Sequence, residues 1–269
     1  MKTIKRFFKN YKTFIIIYFF LSLSFLAKFP FIHSDELWLS GLSRNYIDKG
    51  TPITTEAFFD LMPRFPHAIK IIFHYLQTIF IAVLGYDISS VRVLSLIFGI
   101  LSLIAFYKLC YKITNSYIFS IIIMSFLAFD IQFIYASHFA RQEIIILFLL
   151  IITINLAVTE YTKLSRDILL GIVTGLSIGI HPNSFFIAIC IGFIYLYKLI
   201  FLKRIELRNL FTYVFMTGAF ALLFIGISLY FDPNFFYNYR NFGSQFGVFY
   251  TTGTKVTQIK DFYLKLYYS

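Results

Sequence analysis

Ala68-Ile69-Lys70-Ile71-Ile72-Phe73-His74-Tyr75-Leu76-Gln77-Thr78-Ile79-Phe80-Ile81-Ala82-Val83-Leu84, with only Gly85-Tyr86-Asp87 before the next apolar run, is the stretch on which the topology turns. A helix needs about 20 apolar residues to cross a hydrocarbon core of roughly 30 Å. This stretch is shorter and carries Lys70, His74 and Gln77. Unambiguous spans lie on either side of it, at about 14–32, 88–109, 116–136, 142–158, 168–180, 184–202 and 210–231. If 68–84 crossed as well, every later loop would change sides.

Charge decides between the two topologies. With 68–84 outside the bilayer and the N-terminus in the cytoplasm, the cytoplasmic segments hold 13 of the 24 bases. These are Lys2, Lys5, Arg6, Lys9, Lys12, Lys108, Lys112, Lys163, Arg166, Lys198, Lys203, Arg204 and Arg208, facing only Glu160, Asp167 and Glu206. The remaining 11 bases are balanced by ten acids. A crossing would put the Lys198–Arg208 cluster outside, against the positive-inside rule. The expected architecture is therefore seven spans, with 68–84 lying along the outer surface as an amphipathic helix.

Composition agrees with this reading. The 269 residues are 59% hydrophobic and 14% charged, with a mean hydropathy of +0.76. A soluble domain carries about 45–50% apolar and about 25% charged residues. The chain is an all-α polytopic membrane protein, and its net charge of +11 reports orientation rather than nucleic-acid binding. Cys110 and Cys190 both fall in apolar stretches, which excludes a disulfide framework and a cysteine-based zinc site. The basic N-terminus and first apolar run look like a secretory leader, but a small-x-small cleavage site is missing, so an uncleaved anchor is expected.

The organisation read from this is a cytoplasmic segment 1–13, a membrane module 14–231 with a large external loop 33–87, and an external segment 232–269. The cytoplasmic loops are short and hold no glycine-rich phosphate cradle. No nucleotide-binding βαβ unit fits there. Chemistry is expected on the external side, with a lipid-carried substrate arriving through the bilayer.

Candidate residues cluster on that side. Ser34 reads as an N-cap that places Asp35 and Glu36 in the first turn of a helix running to about Tyr46. The two acids either complement the helix dipole or serve as a base and its helper. Asp130 lies inside the third span, as a functional acid or a helix–helix hydrogen-bonding group. His138 and Arg141 share a face if their segment is helical; Arg141 suits a phosphate, and Glu143 sits just inside the fourth span. His181, in a turn broken by Pro182, and the external bases Arg64, Lys70 and Arg92 complete the set. Each base alone reads as an interface anchor; together they suit a phosphate headgroup.

The order of these features resembles the type-C membrane glycosyltransferases, in the protein-mannosyltransferase and aminoarabinose-transferase branch. The resemblance rests on Asp35-Glu36 after the first span, Pro63-Arg64-Phe65-Pro66-His67, Leu84 to Ser95, Asp130, Ser137 to Glu143, and Gly171-Ile172-Val173-Thr174-Gly175-Leu176-Ser177. It covers roughly residues 10–230. It implies inverting transfer of a sugar from a polyprenyl-phosphate carrier to a lipid, glycan or protein acceptor outside the cytoplasm, in the plasma (inner) membrane. Asp35 would be the base with Glu36 beside it, and Arg92 and Arg141 would be donor-phosphate or structural partners. Metal dependence varies in the superfamily, so a divalent metal is left open and no cofactor is assigned. Such proteins usually continue through further spans, and 232–269 reads as the start of a missing or reduced second half. The rival expectations are a non-catalytic assembly subunit or gene remnant and, less so, a lipid or solute carrier; no internal repeat supports a carrier.

Overall fold

Apolar runs and good caps set the elements. The computed structural model describes residues 10–50, 67–158 and 163–245 and, further on, 256, 257, 260 and 264. Among them the regular elements are helical: α1 (Tyr11–Phe25), α2 (Ser34–Lys49), α3 (Ile71–Leu84), α4 (Ile88–Thr114), α5 (Tyr117–Phe129), α6 (Ile131–His138), α7 (Glu143–Ala157), α8 (Leu164–Ile178), a short 3-10 turn, α9 (Phe185–Ile200), α10 (Leu207–Phe231) and α11 (Phe235–Gln245).

Helix α4 is the axis of the first half. Asp87 caps it, accepting from the Ser89 and Ser90 N–H groups at 2.7 and 3.0 Å, as an Asp at a helix start does. Around it α1, α3, α5, α6 and α7 bury one apolar core that includes Phe73, Leu103, Met124 and Ile144. A second core joins α7 to α8, α9 and α10 through Leu170, Ile187, Ile191 and Tyr213. Helix α7 contributes to both, so it fixes the two halves against each other.

Each expected span falls on a helix or helix pair, but the first helix ends at Phe25, short of the expected end near 32. Three of them, Ile88–Thr114, Pro182–Ile200 and Leu207–Phe231, are long and apolar enough to cross a bilayer by themselves, and a bent pair makes a fourth. Length and composition alone therefore do not establish a count of seven. The bent pair departs from the expected straight third span. Helices α5 and α6 meet at 66°, and Asp130 sits at the break, accepting from the Phe133 N–H at 2.9 Å. An acid that would be costly inside a span is here the cap that starts a new helix.

Helix α3 is about 21 Å long at 1.5 Å per residue, short of the hydrocarbon core. Its polar side chains turn inward. The Ser43 hydroxyl of α2 donates to Gln77 Oε1 at 2.6 Å and lies 2.8 Å from His74 Nδ1, while Gln77 Nε2 donates to the Val91 carbonyl at 3.2 Å. The outward face carries Ile79 and Val83, 56% and 75% exposed. His74 and Gln77 thus bind α3 to α2 and α4. The N-terminal end of α3 is docked by the Ile72 N–H on the Gly179 carbonyl at 2.9 Å and by the Ala68 N–H on Ser228 Oγ at 2.9 Å.

Helix α8 packs tightly on α10, and glycine makes it so. A Cβ added at Gly171 or Gly175 would lie 2.5 Å from Met216 Cβ or Phe220 Cβ respectively. Small residues four apart let two helix backbones approach in a membrane. Gly218, on the same α10, has nothing within 4 Å of an added Cβ. Gly175→Val is expected to lower stability by about 1–3 kcal/mol through overpacking, with Gly218→Ala close to wild type. Thermal unfolding in detergent followed by circular dichroism checks the contrast; equal midpoints would remove the close approach.

Candidate functional site

The start of α2 divides its two acids. Successive helical side chains point about 100° apart, so Asp35 and Glu36 cannot share a direction. Glu36 turns inward and is 1% exposed. Its Oε1 accepts from Arg92 Nε and from the Ala140 N–H, both at 2.8 Å. Its Oε2 accepts from Arg92 NH2 at 2.7 Å and from the His33 N–H at 3.2 Å. All four acceptor sites of the carboxylate are used. Arg92 is fully buried, and its NH1 donates to the Leu26 and Pro30 carbonyls, each at 2.9 Å. This pair ties the end of the first span, the start of α2, α4 and the 139–142 turn to one point. Arg92, expected as a donor-phosphate or structural partner, is placed as a structural one, with its fork closed.

Asp35 turns outward, with 42% of its side chain exposed, and meets Arg141 NH1 at 3.0 Å. Arg141 NH2 reaches Glu143 Oε1 at 2.7 Å. One guanidinium therefore stands between two carboxylates, and Arg141 Nε and Glu143 Oε2 are buried without a hydrogen-bond partner. Arg141 and His138 do not share a helical face: α6 ends at His138, and Arg141 follows in a turn before α7. His138 lies below the surface, 2% exposed, with Nδ1 2.9 Å from the Ile134 carbonyl.

The cap of α2 is His33 rather than Ser34. Its Nδ1 accepts from the Asp35 N–H at 3.2 Å, and the Glu36 carboxylate returns to the His33 N–H, closing a capping box. The same ring nitrogen is 3.8 Å from Asp35 Oδ1.

Two further groups border the site. Lys70 Nζ lies 5.4 Å from the centroid of Trp38, which is one turn beyond Asp35 on α2. His181 caps the 3-10 turn through the Asn183 N–H at 3.0 Å. Burial, with added repulsion from Lys70 and Arg141, pushes His181 down to about 4. Asp35, Arg141, Glu143, Lys70 and His181 thus form one electrostatic neighbourhood on one side of the bundle. Asp130, at the α5–α6 break, is committed to its cap. Arg64 lies outside the described residues. Sequence reasoning left Lys70 as one anchor among several and passed over Trp38 and His33; Trp38 was findable, because it stands three residues from Asp35 on a helix.

Among the described residues no group of three His, Cys, Asp or Glu side chains could hold a metal ion. The Asp35–Arg141–Glu143 row is a guanidinium site.

An acid, a guanidinium and an ammonium thus stand at one rim of a helical bundle. The chain belongs to the dolichyl-phosphate-mannose-protein mannosyltransferase family, whose model matches residues 70–240. Its fold is similar to crystal structures of ArnT from Cupriavidus metallidurans in the apo state (TM-score 0.58) and bound to undecaprenyl phosphate (TM-score 0.56). Sequence identity to both is 14% over 82% of this chain, which spans 41% and 42% of those chains. No curated protein sequence matches it. The resemblance read from motif order is thus borne out at the level of family and fold.

Removing one partner of a buried pair leaves the other charge stranded. Glu36→Gln and Arg92→Gln are each expected to cost about 3–5 kcal/mol, and Glu36→Leu with Arg92→Met to recover much of it. Asp35→Asn, losing a half-exposed pair, costs at most about 1 kcal/mol. Unfolding midpoints in one detergent rank the four; a destabilised Asp35→Asn beside an unaffected Glu36→Gln would reverse the assignment.

The His181 shift has a pH signature. The folded state holds the ring neutral down to about 4, against an ordinary value of 6.5, so the unfolded chain takes up the proton first as pH falls. This contribution to stability is intact above about 6.5 and declines toward about 4. His181→Asn is expected to flatten the stability profile in that window, and a profile unchanged by the substitution would contradict the shift.

Proposed function

We propose that this protein transfers a sugar from a polyprenyl-phosphate carrier to an acceptor hydroxyl on the external side of the plasma membrane, with inversion, and that Asp35 is the base. The observation that carries the reading is the division of labour at the start of α2: Glu36 is consumed by Arg92, while Asp35 is presented half-exposed beside Arg141. Family membership supports glycosyl transfer. The undecaprenyl phosphate bound to the fold-similar ArnT supports a lipid-phosphate donor.

The scheme uses this chain's own groups. The acceptor oxygen attacks the anomeric carbon as the bond from that carbon to the phosphate oxygen breaks. The bonding electrons leave with the polyprenyl phosphate, and the acceptor proton passes to Asp35. Lys70 and Arg141 stabilise the negative charge that grows on the leaving phosphate. His181, neutral at physiological pH, acts as a hydrogen-bonding group at the headgroup. Glu143 holds the far side of Arg141, and Glu36 and Arg92 position the base without touching substrate. Trp38 offers a flat apolar surface beside the base for the sugar or the first prenyl unit.

The orientation follows the charge asymmetry, with the N-terminus and the Lys198–Arg208 cluster in the cytoplasm and the Asp35 rim outside. The acceptor is a lipid, a glycan or a protein. Asp35→Asn is expected to abolish transfer from a polyprenyl-phosphate sugar in proteoliposomes while insertion and unfolding midpoint stay near wild type. Loss of a base of this kind costs about 10²–10⁴ in rate. Wild-type turnover by that variant would refute the assignment.

A further inference from the structure

A row of aromatic rings leads to the base from the side of α6. That helix leaves the axis of α5 at 66°, and its Tyr135 stands between two other rings. Phe29, in the loop after α1, lies 5.4 Å away between centroids, and Phe139, just past the end of α6, lies 5.2 Å away. Phe139 in turn is 6.2 Å from the ring of His33, whose Nδ1 is 3.8 Å from Asp35 Oδ1. The row is open to its surroundings: Phe29 and Tyr135 are each 37% exposed, and so is 54% of the His33 side chain.

The polar atoms along this row are ones a hydrocarbon chain cannot use. His33 Nδ1 accepts from the Asp35 N–H at 3.2 Å, so the ring carries its proton on Nε2. The cap of α2 therefore fixes the tautomer and leaves one N–H donor on the side of the ring away from the cap. Tyr135 adds a hydroxyl. Gln132, exposed and three residues before Tyr135, shares its face of α6 and adds an amide. Aromatic residues at a membrane boundary commonly serve as anchors, which would account for Phe29 and Tyr135 by themselves. An anchor has no use for a donor of fixed tautomer beside a carboxylate.

Rings interleaved with hydrogen-bonding groups suit a ligand with apolar faces and a polar edge. A pyranose has that form, with C–H bonds on its faces and hydroxyls around its rim. The base is also flanked along α2. His33 stands at its capping end, and Trp38, with Lys70 beside it, one turn further on. The ammonium on the Trp38 side suits the donor phosphate, which leaves the His33 side for the acceptor.

We infer that Phe29, Tyr135, Phe139 and His33 form the acceptor subsite and that it takes a saccharide. The His33 N–H donates to an acceptor hydroxyl oxygen and holds the attacking hydroxyl toward Asp35. Naming this ligand the acceptor rests on the transferase reading; the binding of a saccharide does not.

The test uses the full chain in phosphatidylcholine nanodiscs and saturation-transfer difference NMR, with mannotriose, maltotriose and chitotriose as probes and the protein's aromatic protons irradiated. At least one trisaccharide is expected to receive saturation at its ring C–H protons. Tyr135→Ala should weaken that binding about tenfold, through loss of an aromatic contact and a hydrogen bond. His33→Ser keeps a capping residue on α2 but lacks the Nε2–H donor, and should weaken binding about fivefold at an unchanged unfolding midpoint. Asp35→Asn should still bind, so binding without turnover in the wild type would sink the transferase reading alone. No saturation of any of the probes would overturn the inference, as would saturation unaffected by both Tyr135→Ala and His33→Ser. Transfer by Tyr135→Ala at an unaltered acceptor KM would overturn it while leaving the transferase reading intact. Contacts from Phe29 and Tyr135 to lipid acyl protons that persist with trisaccharide added would assign the row to lipid and overturn it as well.

Discussion

A single buried carboxylate organises the site-bearing half of this protein. Removing an ionised group from water is costly unless every lone pair is met, and Glu36 meets that condition with Arg92, Ala140 and His33. Each of those bonds aims something else. The Ala140 N–H carries Arg141 with it, since Arg141 is the next residue along a turn further held by Ser95 Oγ on the Arg141 carbonyl at 3.4 Å. The His33 N–H closes the cap of α2, and that cap presents Asp35. The exposed acid and its guanidinium partner are thus both positioned by their immediate neighbours' contacts with one buried side chain. A charged pair of this kind is weak evidence for added stability; its value here is that few other arrangements satisfy it.

The second constraint is backbone approach. Gly171 and Gly175 bring α8 against α10 more closely than any side chain would permit, and the end of α8 then receives α3 through the Gly179 carbonyl. His181 follows two residues later. Small residues deep in the bundle therefore fix where a polar group emerges at its rim. This coupling places His181 and Lys70 near Arg141, although the three come from elements far apart in sequence.

Much of the fold was legible. Apolar runs located every helix read as a span, although the first helix stops at Phe25 while its apolar run continues to Ile32. Other features were hidden for physical reasons. Two adjacent acids in a first helical turn point about 100° apart, and nothing in Asp35-Glu36 says which faces inward. His33 lies outside the usual N-cap set, so Ser34 drew the cap assignment. Asp130 carried a usable signal, being a strong N-cap residue in an otherwise apolar run, but apolar continuity favoured an unbroken span. The inward turn of His74 and Gln77 depends on a partner hydroxyl, Ser43, that no local pattern links to them. The exposed side of α3 is its apolar side, the reverse of a helix lying on a soluble core.

How Asp35 is aimed depends on whether Glu36 and Arg92 form a closed pair in the folded protein. Hydrogen exchange at arginine side chains reads this directly, through ¹⁵N-detected signals of the guanidinium Nε–H groups in a detergent-solubilised sample. A buried Nε–H bonded to a carboxylate is predicted to exchange far more slowly at Arg92 than at the exposed Arg208. Arg92 exchanging as fast as Arg208 would mean that the pair is open to water, and that nothing of this kind aims Asp35.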